Sequence, residues 1–177
     1  VASTAPSAAE RAVIRAVMMC PYYHPNYGGA ENQLRLLAAN LAHRGVEVTV
    51  LTLRLFGGAR DDRVDHARVL RFGGSPDGYG VRDALEGVVA WLAAHRDDYD
   101  IVHHHFIYGL WPEVQLQIGP TCLALGKPTL LKVTSSDKVR LLCADDRSAC
   151  GRLGAYSAFA SINTDIGREL LEAGVRP

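Results

Sequence analysis

The chain has 177 residues and a mass of 19.2 kDa, which suits one domain with a substantial core. Its 19 basic and 19 acidic residues leave no basic excess, so binding of nucleic acid through bulk charge is disfavoured. No apolar run approaches the roughly 20 residues of a membrane-spanning helix. Arg15 interrupts the first apolar stretch, which disfavours a secretory signal. We therefore expect a cytoplasmic protein whose residues 1–12 form a flexible leader.

The four cysteines are widely spaced and form no Cys-x-x-Cys pair. Cysteines usually remain thiols in the cytoplasm, so a disulfide framework is not expected. Cys143 and Cys150 are interpreted as packing thiols around a loop, without a functional role.

Strand and helix patterns alternate along the chain. Short runs rich in Val, Ile and Leu indicate buried strands, and apolar residues at i, i+4 and i+7 indicate helices with one buried face. The predicted elements, in chain order, are a strand over Val13–Met19, a helix over Ala30–Arg44, strands over Val46–Leu53 and Ala67–Phe72, a helix over Val81–Leu92, a strand over Asp100–His104, a helix over Glu113–Leu125, a strand over Pro128–Thr134, mostly helix over Ser135–Gly154, a strand over Phe159–Ile162 and a helix over Thr164–Ala173. Phe56–Asp65 is predicted to be a loop.

This alternation predicts a Rossmann-like α/β domain, in which a doubly wound parallel sheet carries helices on both faces. Ligands bind such sheets beyond the carboxyl ends of the strands, at the crevice where the strand order reverses. We expect this crevice between the first and the fourth predicted strands.

The first loop at this crevice contains Gly28 and Gly29, directly before the first helix. Backbone N–H groups and the helix dipole could there face a phosphate. Two glycines can equally serve only to form a turn, and Glu31 in the first helical turn is favourable without any ligand. No Gly-x-Gly-x-x-Gly pattern is present, so NAD and FAD are not expected.

The second loop follows the fourth strand, where His103, His104 and His105 are consecutive. His105 is expected to project into the crevice. Neighbours on a strand point to opposite faces, so only His103 and His105 share a side, and a metal site is not expected. His103 is interpreted as a hydrogen-bonded core histidine, and His104 as a surface or packing residue.

The third loop contains Thr134, Ser135, Ser136 and Asp137 after the fifth predicted strand. Its hydroxyl and carboxyl groups suit hydrogen bonding to a polyol such as a sugar, although Ser136 or Asp137 would also make a good helix cap. No Gly-x-Ser-x-Gly motif and no evident pair of catalytic carboxylates occurs, so hydrolase chemistry is disfavoured.

Three segments together resemble the amino-terminal domain of glycosyltransferase family 4 enzymes, which have the GT-B architecture. They are Pro21 with Tyr27-Gly28-Gly29-Ala30-Glu31 and the helix that leads through Arg44-Gly45-Val46-Glu47-Val48; Asp100-Ile101-Val102-His103-His104-His105; and Ser161-Ile162-Asn163-Thr164 through Gly174-Val175. The chain departs from the family at Val46, where His is usual, at Asn163, where Ser is usual, and at Ser135-Ser136.

The resemblance implies that residues 13–177 are the acceptor-side half of a retaining glycosyltransferase. The donor half, with its Glu-x7-Glu signature, would be a carboxyl-terminal domain absent from this chain, and the chain alone is then expected to be inactive. The implied partners are a nucleotide-sugar donor and a sugar, lipid or small-molecule acceptor. No metal or other cofactor is expected, and peripheral contact with a membrane stays open.

The resemblance also assigns residues to roles. Gly28 and Gly29 would approach the donor diphosphate, His105 would be the catalytic residue beside the transferred sugar, and Thr134 with its neighbours would line the acceptor side. Two alternatives remain. One is a non-catalytic α/β domain that binds a sugar or a partner, and the other is a metal-dependent enzyme that uses His103 and His105.

Overall fold

The computed structural model describes residues 13–26, 28–54, 58–74, 80–106, 112–134 and 147–175. The predicted leader over residues 1–12 and the predicted acceptor-side residues Ser135, Ser136 and Asp137 lie outside the described residues.

The described part of the chain contains one sheet of seven strands, whose order is β3-β4-β2-β1-β5-β6-β7. The strands are β1 (Arg15–Met19), β2 (Glu47–Leu53), β3 (Asp61–Val64), β4 (Ala67–Phe72), β5 (Ile101–Phe106), β6 (Thr129–Val133) and β7 (Ala158–Ser161). Every pair is parallel except β3 with β4. The predicted doubly wound α/β fold is confirmed, and the strand order reverses between β1 and β5 as expected.

Strand β3 corrects the prediction that Phe56–Asp65 is a loop. Its sequence, Asp61-Asp62-Arg63-Val64, has no apolar alternation, so the local pattern does not indicate a strand. It forms because a two-residue turn, with Asp65 at φ 50°, folds the chain back onto β4 in antiparallel register. Charged side chains are typical of such an edge strand.

Five α-helices lie within the described ranges. They are α1 (Gly29–Ala42), α2 (Val81–Ala94), α3 (Pro112–Ala124), α4 (Arg147–Leu153) and α5 (Thr164–Glu172), and a short 3₁₀ helix covers Arg96–Asp98. The predicted helices are confirmed to within a few residues at their ends. Helix α4 lies in the second part of Ser135–Gly154, where mostly helix was predicted, and confirms the prediction for that part. The side chain of Asn163 caps α5 by accepting a hydrogen bond from the Ile166 N–H at 2.9 Å.

Helices cover both faces of the sheet, because successive strand residues point to opposite sides. Met18 of β1 packs with Leu34 and Ala38 of α1 on one face. Val17 and Met19, its neighbours, face the opposite side and pack with α2. The second face continues over β6, where α3, α4 and α5 contribute to a further buried cluster.

The cysteines follow the expectation only in part. Cys20 and Cys122 are buried free thiols, and burial raises the pKa of each to about 12. Cys150 is disulfide-bonded, so its interpretation as a packing thiol was wrong. That interpretation rested on the expected compartment, whereas a disulfide also depends on whether the fold brings two sulfurs within bonding distance.

None of the described helices is both long enough and apolar enough to cross a membrane.

Candidate functional site

The candidate site lies at the carboxyl ends of β1, β5 and β6, beside the point where the strand order reverses. Parallel pairing of β1 with β5 and of β5 with β6 brings these three ends to one edge of the sheet. The glycine pair, the histidine run and Thr134 each follow or end one of these strands. The three segments singled out in the sequence therefore lie at one edge of the sheet.

The glycine pair forms the amino end of α1. Gly29 is the first helical residue and Gly28 is the N-cap, with an extended backbone at φ −151°, and no side chain caps the helix end. Both glycines are exposed. The first-turn N–H groups lie at the positive end of the helix dipole, which is an arrangement that favours an anion, and the Glu31 carboxylate lies beside Gly28 at the same helix end.

The backbone does not require glycine at either position. Neither residue has a positive φ. A Cβ added at Gly29 would meet nothing within 4 Å, and one added at Gly28 would meet only the flexible carboxylate of Glu31. A role in forming the turn thus leaves the two glycines unexplained, whereas the close approach of another molecule to the helix end would explain them.

His105 and His103 share one face of β5, with ring centroids 4.7 Å apart. His105 is 0% exposed, and neither of its ring nitrogens has a hydrogen-bond partner among the described residues. It lies inside β5, which continues one residue further than His105, whereas the strand was predicted to end at His104. The interpretation of His103 as a hydrogen-bonded core histidine was wrong, because its buried Nε2 also has no partner in the described segments.

Burial keeps this histidine pair neutral. It lowers the pKa of His105 to about 3 and that of His103 to about 4, and the nearby Lys132 ammonium contributes to both shifts. A neutral imidazole has one N–H donor and one acceptor nitrogen, so it can bind a hydroxyl group in either sense. Lys132 lies opposite His105 in the register of β5 and β6.

His104 points to the other face of the sheet and has the predicted packing role. It is 3% exposed, and its Nδ1 lies 2.7 Å from the hydroxyl oxygen of Tyr156, in a buried hydrogen bond. Burial lowers the pKa of His104 to about 3. This contact fixes β5 against the start of the segment that leads into β7.

Thr134 directly follows β6 and is half-buried at the same edge of the sheet. Its predicted partners on the acceptor side lie outside the described residues. The described part of the chain gathers no group of three or more His, Cys, Asp or Glu side chains that could hold a metal ion.

Sequence reasoning missed three polar residues near this edge, namely Thr52, Arg71 and Lys132. Each lies in a strand that is otherwise mostly apolar, and Thr52 and Arg71 are buried. The sequence could have indicated these residues, because a polar side chain within a mostly apolar strand is seldom buried without a hydrogen-bond partner.

Residues 27–131, more than half of the chain, match the sequence profile of Glycosyltransferase Family 4. The chain belongs to Glycosyltransferase Family 4. Among solved structures it is similar to sucrose-phosphate synthase from Thermosynechococcus elongatus, with a TM-score of 0.51 and 14% sequence identity, over 90% of this chain and 95% of that chain. At this identity the likeness establishes the fold, which is that of a GT-B amino-terminal domain. No curated protein matches the sequence of this chain significantly.

The buried histidines predict a loss of stability in mild acid. Each binds a proton in the unfolded chain below its ordinary pKa of 6.5, but remains neutral in the folded chain down to about pH 4 or 3. The unfolded state therefore gains protons first, and the free energy of unfolding should fall by up to about 1.4 kcal/mol per pH unit for each fully buried histidine. Urea unfolding between about pH 7 and pH 5.5 measures this slope, above most of the range in which carboxylates titrate.

His105→Gln should make this slope shallower, since glutamine takes up no proton. His66→Gln, at an exposed position of the β3–β4 turn, is the matched control for replacing a histidine by glutamine. An equal slope in His105→Gln and the unaltered chain would contradict a neutral, buried His105.

Proposed function

We propose that this glycosyltransferase domain is the acceptor-side half of a retaining enzyme that transfers a sugar from a nucleotide-sugar to an acceptor. Membership of Glycosyltransferase Family 4 supports the reaction class. The observation that carries the proposal is the uncapped amino end of α1. Two exposed glycines lie there, although the backbone conformation at these positions does not require glycine.

The donor diphosphate would lie against Gly28 and Gly29. The first-turn N–H groups and the helix dipole stabilise negative charge, and this charge grows on the diphosphate as it leaves the sugar. Because these donors are fixed by the helix, they need no rearrangement when the bond breaks. Stabilisation of the leaving group by such donors requires neither a metal nor a protein nucleophile, and we propose transfer without either.

His105 would contact the transferred sugar beside the leaving group. Its neutral imidazole, without a partner among the described side chains, can bind one sugar hydroxyl as donor or acceptor. Thr134, Ser135, Ser136 and Asp137 would bind the acceptor, for which hydroxyl and carboxyl groups suit a polyol. Location in the cytoplasm stays a prediction, and the disulfide at Cys150 is an observation against it.

The donor half would belong to a second α/β domain, and closure of the two domains would exclude water from the reacting groups. Translation of the source gene beyond the codon for Pro177 tests this directly. We expect a second α/β half with a Glu-x7-Glu segment. A stop codon at that point would favour instead a domain that binds a sugar or a partner without chemistry.

Gly29→Ala tests the glycine turn in the enzyme with its donor domain. The added methyl group finds space in the fold but would lie where the diphosphate approaches, so KM for the nucleotide-sugar should rise about tenfold or more. The free energy of unfolding should stay the same or increase slightly, because alanine is the better helix former. Steady-state kinetics and urea unfolding give the two quantities.

Gly151→Ala is the matched control, since Gly151 also lies in a helix and an added Cβ would meet nothing within 4 Å. It should leave KM for the donor unchanged. A Gly29→Ala enzyme with the KM of the unaltered enzyme would rule out donor binding at this helix end.

His105→Ala should lower the turnover number by about a hundredfold, the usual effect of removing one preorganised hydrogen-bonding group beside a leaving group. The enzyme should retain its circular dichroism spectrum, which checks the fold. His66→Ala, at an exposed site of the same residue type, should transfer sugar normally. Unchanged turnover in folded His105→Ala enzyme would remove His105 from the site.

A further inference from the structure

Arg71 is a buried cation close to the end of β4, and only 6% of it is exposed. It lies in register with Thr52 of β2. Paired residues of parallel strands share a face, so both side chains point toward the face of the sheet that α1 covers, beyond the apolar cluster that includes Val50 and Val69. Their position places them beneath the loop that joins β1 to α1.

The guanidinium of Arg71 joins three separate segments. It donates one hydrogen bond to the carbonyl oxygen of His24 in the β1–α1 loop at 2.9 Å. Its other terminal nitrogen donates to the carbonyl oxygen of Ala59 at 3.1 Å, before β3, and to the Asp62 carboxylate within β3 at 3.0 Å. The planar fork of arginine reaches acceptors in several directions at once, which the single ammonium of lysine cannot reproduce.

These hydrogen bonds contribute to the position of the β1–α1 loop. A cavity of about 210 Å³ lies between the loop, the segment before β3 and the end of β2, and Arg71 forms part of its wall. Packing holds the neighbouring Tyr23, which is 2% exposed and lies in the core cluster under α1, so the hydrogen bond at His24 acts on the part of the loop that borders the cavity. Two carbonyl oxygens of the loop also accept hydrogen bonds from the strands: that of Pro21 from the Thr52 hydroxyl at 3.1 Å, and that of His24 from Arg71.

The restrained loop leads directly into the glycine turn. After His24, the Asn26 N–H donates to the carbonyl oxygen of Tyr23 at 3.0 Å and closes a turn. Gly28, the N-cap of α1, follows two residues later. A shift of the His24 carbonyl would thus move the entry into α1, and with it the direction of the exposed N–H groups.

We infer that Arg71 is a positioning residue for sugar transfer, which fixes the glycine turn through the carbonyl of His24. This inference rests on the proposed function, because it assigns the turn to the donor. Arg71 does not itself bind the diphosphate, since its terminal nitrogens are occupied by protein oxygens and Asp62 balances its charge.

The kinetic test compares Arg71→Ala, Arg71→Lys and Arg68→Ala in the enzyme with its donor domain. Arg68 lies on the same strand, but it is exposed and pairs with Asp61 at the edge of the sheet, so it is the matched control. Arg71→Ala should raise KM for the nucleotide-sugar and lower the turnover number, with a total loss of about tenfold or more in kcat/KM, because the turn contacts the diphosphate both when it binds and as it leaves. Added guanidinium ion should restore part of the affinity, Arg71→Lys should lie between, and Arg68→Ala should match the unaltered enzyme.

A second measurement does not depend on turnover. Amide resonances of Gly28 and Gly29 are compared by NMR in the 177-residue chain, and should shift in Arg71→Ala but not in Arg68→Ala. Unmoved glycine amides, or an unchanged kcat/KM for the donor in an active Arg71→Ala enzyme, would overturn the inference. Absence of sugar transfer by the unaltered enzyme would refute the proposed function instead, and the amide resonances would still decide whether Arg71 positions the turn.

Discussion

The parallel pairing of β1 with β5 organises the molecule. These strands are distant in the sequence, yet Met18 lies opposite His103 and Met19 opposite His104. Because α1 packs on one face of the sheet and α3 on the other, the strand order reverses here, and folds of this kind bind ligands at the carboxyl edge beside such a reversal. The glycine turn and the histidine run occupy this edge for that reason, and a change in register by one residue would turn every histidine to the wrong face.

Some buried polar groups at this edge have hydrogen-bond partners in the described part of the chain, and others do not. Thr52 and Arg71 are satisfied by carbonyl groups of the β1–α1 loop, so their burial makes the loop rigid. His105 is buried without a partner in the described segments, which leaves its hydrogen-bonding capacity unused by the fold. The first group of residues thus holds the backbone of the loop in place, whereas the two ring nitrogens of His105 make no hydrogen bond within the described part of the chain.

Local patterns were sufficient for elements with an apolar alternation and insufficient elsewhere. Strand β2 was predicted because its Val and Leu residues recur in a buried pattern, whereas Asp61–Val64 gave no such signal and forms a strand only through pairing with β4. That His103 and His105 share one face of β5 followed from counting along a strand. Its lack of a partner, the contacts of Arg71 and the disulfide at Cys150 depend on residues brought together by the fold, so short sequence windows could not reveal them.

The antiparallel β3 also affects how copies of this domain can associate. A strand at the edge of a sheet offers unpaired backbone groups to other chains. Here β4 is covered by four residues, three of them charged, and the salt bridge between Arg68 and Asp61 lies across the pair. Growth of the sheet by addition of a foreign strand is therefore discouraged on this side, and the short β7, at the opposite end of the strand order, is the edge through which self-association by β-pairing would have to proceed.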